Sequence, residues 1–268
     1  MAPPTLYSIV LSLLTALAAG LVGAFALMRR MALAGDVMSH IALPGLGLAL
    51  LFHINPIIGG AASLLVGVVL IWRLQELSSL TTEVSIGVIF TAALAIGTLL
   101  TPSDDLIEAL FGRFQDLSLP WFLAGAASVL LVGWFIYYFR NKLILSLFST
   151  DLAAAAGINL SRLNLYYLLI FGLTVLLGLR FLGALLVGAL IILPAAAGRQ
   201  LASTLGGFLA ASSIVSFISV GLGLLLYYQA PILKLGSVTI HLEPGPTVIA
   251  VASVLFVVSL LNKAVRAG

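Results

Sequence analysis

The sequence predicts an all-α fold, a polytopic transmembrane helical bundle, and three observations lead there. Of its 268 residues, 62% are hydrophobic and 8% are charged, whereas a soluble domain carries about 25% charged residues. The apolar runs approach the roughly 20 residues that a helical span needs, without the alternation of a membrane barrel. Two of the runs contain proline, so short proline-broken helices are expected among eight or nine spans.

Taken in order, spans are expected near residues 5–28, 37–53, 56–72, 84–101, 120–139, 163–180, 183–198, 205–228 and 246–262, nine in all, with eight as the alternative count. The first run has no basic residue before it and Arg29 and Arg30 after it, which reads as a retained anchor rather than a secretory signal. With the N-terminus outside, Arg29, Arg30, Arg73, Arg140, Lys142, Arg162, Arg199, Lys263 and Arg266 fall on the cytoplasmic side, and Arg113, Arg180 and Lys234 fall outside. That asymmetry is the one that positive-inside topology demands. The same loops account for the isoelectric point near 9.4, so no nucleic-acid partner is expected. Residues 1–268 read as one membrane domain.

Three connections stand out. Segment 102–119 is external; Asp104, Asp105, Glu108 and Asp116 alternate with Leu106, Ile107, Leu110, Phe111 and Phe114 at helical spacing, as in an amphipathic helix at the interface. Segment 141–162 is cytoplasmic, with Ser149, Thr150 or Asp151 as a helix cap. Segment 229–245 is external, and alternating Val238, Ile240 and Leu242 suggest an extended stretch or hairpin. The chain has no cysteine, which removes thiolate ligands and disulfides. It also has no glycine-rich run leading into Lys and Ser or Thr, so it lacks a phosphate-cradling loop.

The run GDVMSHIALPG places Asp36 and His40 four residues apart, directly before the break at Leu43-Pro44-Gly45. Residues so spaced share a helix face, and ionisable side chains within a span mark a functional site. Carboxylate with imidazole suits zinc, manganese or iron. Spacing alone leaves a second reading open, in which Asp36 caps the helix and His40 merely hydrogen-bonds it. The other proline lies at Leu193-Pro194-Ala195, where a span over residues 182–198 is expected to end. Paired broken spans point to a transport pathway.

The full run closely resembles the signature of the membrane permeases in ATP-binding-cassette importers of manganese, zinc and iron. Similar stretches follow in the same order: EVSIGVIFTAALAIGTLL, ALFG, FSTDLAAAAGI, GALLVGALIILPAAAGRQL and EPGPTVIAV. The resemblance covers nearly the whole chain. It implies a homodimeric permease in the cell membrane, served by a cytoplasmic ATPase subunit and an extracytoplasmic metal-binding protein, and not itself an enzyme. It assigns Asp36 and His40 to the ion and the segment around Arg199, Gln200, Thr204 and Gly207 to ATPase coupling. Where relatives carry an acidic pair before the fourth span this chain has Thr82 and Glu83, so an acidic role carries over only to Glu83. The loop before EPGPT looks longer than usual, and its His241 and Glu243 are further secondary candidates, whereas His53 reads as an interfacial residue.

No cofactor is expected beyond the transported zinc, manganese or iron. Since metal binds neutral imidazole, uptake is expected to fall on acidification. The alternative function is an ATP-independent secondary transporter or channel. An intramembrane metalloprotease would need more than His40, His53 and His241, and the HExxH pattern is absent.

Overall fold

The computed structural model describes residues 6–31, 33–78, 80–100, 117–229, 232–235 and 238–267, with backbone alone at 180–182, 184–185, 232–235, 238–241 and 266–267. The helices are α1 (Leu6–Met28), α2 (Ala34–Ile41), α3 (Leu43–Leu51), α4 (Pro56–Ser78), α5 (Thr82–Leu100), α6 (Leu119–Phe148), α7 (Thr150–Ala155), α8 (Leu160–Leu201), α9 (Leu205–Gln229) and α10 (Pro244–Ala267). Between α9 and α10 lies one antiparallel hairpin, β1 (Ile232–Leu235) with β2 (Val238–His241), in register Ile232 to His241. It answers the extended stretch expected there. Among the described residues, eight helical segments are long and apolar enough to cross a membrane, and Leu186–Leu201 is a shorter ninth. Most of the expected amphipathic segment 102–119 lies outside the described residues.

Small residues let α1 sit at the centre. Ala16, Val22, Ala24 and Phe25 are fully buried, and a Cβ on Gly20 would fall 2.6 Å from the Ser212 carbonyl oxygen of α9. Gly23 packs as closely against the Ile191 carbonyl of α8. Water-free packing of this kind needs small residues at the contact, since lipid offers no hydrophobic drive between helices. The outer helices do the reverse. Leu65, Val66 and Leu70 on α4, Leu130 and Trp134 on α6, and Val254, Val257 and Leu261 on α10 all face outward, an apolar surface suited to lipid.

Two interruptions shape the bundle. Between α2 and α3 the regular helical hydrogen bonding is interrupted at Ala42, which keeps φ −74° and ψ −21°, two residues before Pro44 in the expected stretch. Ser63 of α4 donates to the Ile41 carbonyl at 2.7 Å, supplying a partner where proline disrupts the ladder. The second break differs from expectation: Pro194 lies inside α8, which continues to Leu201, and the departure comes at Gly183, with φ 75° and ψ 167°. That region is open essentially to glycine alone, whereas proline in a helix removes one hydrogen bond without ending it. Val187 nonetheless packs against Gly178. Nine residues of straight helix would hold them about 13 Å apart, so α8 doubles back at Gly183 into two arms, Leu160–Leu179 and Leu186–Leu201.

One end of the bundle collects the cations. Arg29 donates from Nη1 to Asn164 Oδ1 at 2.9 Å and lies 4.4 Å over the Tyr167 ring; Asn164 passes the chain on to Gln75 Oε1 at 2.6 Å. Trp72 Nε1 donates to Ser161 Oγ beside them at 2.9 Å. Burial pulls the Arg29 guanidinium below its usual value, and the neighbouring Tyr167 partly offsets this. Arg30 and Arg199 line a cleft at the same end. Both arms of α8 therefore end here, as the expected topology requires.

Candidate functional site

The α2 helix begins at Ala34 with Leu33 in the cap position and no side-chain cap bond. Asp36 lies inside its first turn, so the capping role is not its own. Ser39 is buried and donates from Oγ to the Asp36 carbonyl at 2.5 Å, tightening the backbone of that turn. One turn on, His40 is half-buried, and its Nδ1 is enclosed with no hydrogen-bond partner. A buried polar nitrogen without a partner is costly. A bound cation would relieve that cost.

Neighbouring helices hold the two side chains from different directions. The α5 helix presents Phe90, whose ring centroid is 5.7 Å from that of His40. The second arm of α8 presents Gly188, where a Cβ would fall 2.6 Å from Asp36 Cβ. From Gly188 to Arg199 at the cleft is about 16 Å of helix at roughly 1.5 Å per residue. Asp36 thus stands well inside the bundle rather than at its basic end.

The secondary candidates are not brought to this pair. Glu83 is exposed in the first turn of α5, about 10 Å of helix below Phe90. His241 ends β2, and exposed Glu243 precedes α10, where its carbonyl accepts from Thr247 Oγ1 at 2.6 Å. Both lie beyond the far end of α9 from the cleft. His53 is exposed after α3 with φ 54°. Among the described residues, no three His, Asp or Glu gather into a metal-binding group.

The cleft at the basic end has a volume of about 750 Å³ and is lined by Leu27, Arg30, Phe148, Arg199, Gln200 and Thr204, among others. Arg199 is exposed, 5.9 Å from the Phe208 ring, and Gln200 Oε1 is enclosed without a partner. Thr204 Oγ1 accepts from Gly207 N at 3.2 Å, capping α9. Beside the cleft, Ser149 Oγ accepts from Leu152 N at 3.2 Å and caps α7, one of the three residues expected to do so. Phe148 and Leu152 are 85% and 61% exposed, which leaves an apolar edge open at the basic end.

Sequence reading missed the contact between Gly188 and Asp36. The only sign of it was glycine at 183 and 188 on one side and at 35 on the other. It also read Arg29 as a topology marker and not as a half-buried, hydrogen-bonded group.

A membrane bundle with an interrupted helix carrying an acid and an imidazole whose Nδ1 has no partner fits the class of polytopic transport proteins. The chain belongs to the ABC 3 transport family, whose model matches residues 2–263, and the resemblance read from GDVMSHIALPG is borne out. It is 30% identical to the high-affinity zinc uptake system membrane protein ZnuB of Haemophilus influenzae, over 97% of each chain. It is 26% identical to the manganese transport system membrane protein MntC of Listeria monocytogenes, over 95% of this chain and 89% of that one. In fold it is similar to PsaBC from Streptococcus pneumoniae in complex with Fab, at TM-score 0.77 and 24% identity, covering 94% of this chain and 89% of that one. The chain is a multi-pass protein of the cell membrane, in a family of metal-import permeases.

Proposed function

We propose that the chain is the permease subunit of an ATP-driven importer of zinc, manganese or iron, and that the ion passes Asp36 and His40. The observation that carries this reading is the enclosed, unpartnered Nδ1 of His40 one turn from Asp36. Two ligands per chain become four when a second copy faces the first, which fits a homodimer with the pathway between copies. As cargo, the ion needs ligands that hold it briefly and let it go.

Energy comes from a separate ATPase subunit, because this chain has no phosphate-cradling loop of its own. It docks at the basic end, on Arg199, Gln200, Thr204, Gly207 and the exposed edge at Phe148 and Leu152. An extracytoplasmic metal-binding protein delivers the ion at the other end, near the hairpin with His241 and Glu243; Glu83 stands toward the cytoplasmic exit. The whole chain acts as one permease domain, and ATP turnover below switches the pathway from outward to inward access.

The test is uptake of radioactive zinc or manganese by the transporter reconstituted with its ATPase and binding protein. Asp36→Ala and His40→Ala should each abolish uptake while the subunits still co-purify. Normal uptake by both variants would remove the site. Uptake that persists without ATPase or ATP would favour a secondary transporter or channel.

A further inference from the structure

The second arm of α8 meets the ion site through a residue without a side chain. A Cβ on Gly188 would fall 2.6 Å from Asp36 Cβ, 2.8 Å from Asp36 Cα and 3.0 Å from Asp36 N. None of these atoms can swing aside, as the tip of a long side chain could. From the other side, a Cβ on Gly35 would meet Ile191 Cδ1 at 2.8 Å and Gly188 Cα at 3.5 Å. The first turn of α2 thus rests on the arm closer than side chains would permit. His40 is held elsewhere, against Phe90 of α5.

The arm is a single short helical segment, Leu186–Leu201. It starts at the reversal at Gly183 and ends at Arg199 and Gln200 in the cytoplasmic cleft. Along its length it meets α1 at Gly23 and α9 through Gly198, where glycine lies on backbone. Such smooth contacts allow one helix to slide on another, as in shear motions. Metal–ligand distances in well-formed sites fall within about 0.2 Å of their standard values, and selectivity among these metals rests on geometry rather than ligand type.

We propose that Gly188 is a positioning residue of the ion site: it sets where the Asp36 carboxylate stands relative to His40, and tilting of the second arm about Gly183 moves that carboxylate. The inference rests on the reading of Asp36 as a ligand. It joins the cleft to the ion through one helix, so a push at Arg199 reaches Asp36 without an intermediate element.

The test uses the full transporter with its ATPase and binding protein, assayed for zinc and for manganese separately and normalised to membrane abundance. Gly188→Ala should raise the apparent KM for the preferred ion about tenfold, the scale seen when groups supporting a ligand are altered, and should change the zinc-to-manganese ratio. Asp36→Glu, one methylene longer, should impair transport alone yet recover part of the loss when added to Gly188→Ala, a non-additivity diagnostic of coupling. Gly133→Ala, whose Cβ would meet nothing within 4 Å, is the control. An unchanged KM and metal ratio overturns the proposal, as does an equal loss for both metals with an additive double variant. Should Gly188→Ala fail to accumulate, Gly35→Ala decides: a smaller shift in KM and metal ratio supports the proposal, and no shift overturns it. If Asp36→Ala transports normally, the ligand reading itself has failed; if it is inactive while Gly188→Ala is normal, only the positioning role falls.

Discussion

Arg29 shows how one side chain can hold a membrane bundle together at its edge. Its guanidinium stacks on Tyr167, and through Asn164 it reaches Gln75, so one residue after α1 ties α8 and α4. Arg29→Met would keep most of the apolar stem and remove the charge and its bonds. We expect a loss of about 1–3 kcal/mol, the range for hydrogen bonds to charged groups and for enclosed cation–π contacts, measured by thermal unfolding of the purified protein. Arg30→Met, at the exposed neighbour, should cost little. Nothing in the sequence separates these two adjacent arginines, because burial of Arg29 depends on where three distant helices converge. Asp36 and His40 could be picked out as candidates for the opposite reason: their chemistry and spacing lie within one turn, and the surrounding run supplied their context.

At the level of helices, the sequence and the structure agree where length and polarity decide and diverge where a single backbone conformation does. The nine apolar segments, the break before Pro44, the Ser149 cap and the external hairpin were all readable from local pattern. The reversal itself was readable, as the gap between the spans expected at 163–180 and 183–198, but the residue that makes it was not, since hydropathy says nothing about φ and the visible helix breaker was Pro194. Gly183→Ala should therefore be the more damaging change. It forces an L side chain into a strained region at a cost of about 1–3 kcal/mol, whereas Pro194→Ala restores a helical donor and should be neutral or stabilising. Heat-induced loss of the folded species in detergent would rank them. A parallel comparison applies at the other break. Gly45 packs against the Gly59 carbonyl, so Gly45→Ala should destabilise the α3 and α4 pair by about 3 kcal/mol through overpacking. Ser63→Ala loses one interhelical hydrogen bond and should cost about 1 kcal/mol. Equal effects would contradict the packing account.

For the molecule as a whole, the two ends of the bundle differ in chemistry, a cleft lined by Arg30 and Arg199 at one and a hairpin at the other, with Asp36 and His40 between them. A cleft edged by Phe148, Leu152 and Arg199 predicts that Phe148→Glu or Arg199→Glu lowers co-purification of the ATPase subunit, while metal binding by the isolated permease is retained. Pull-down and metal analysis on the same preparation check both halves of that statement. If two copies share one site, metal analysis should find one ion per two chains in wild type and none in Asp36→Ala; one ion per chain would argue for independent sites. The doubled-back form of α8 has a further consequence, for how the protein is made. The arm Leu186–Leu201 is shorter than the roughly 20 residues that span a bilayer and contains Pro194, so it is poorly suited to enter the lipid alone. Joined to Leu160–Leu179 by a tight reversal, it can partition as one half of a helical hairpin, its polar backbone shielded by the partner that precedes it. Biogenesis of this chain would then treat the two arms as one insertion event, with the second arm dependent on the first, which is long enough to span by itself.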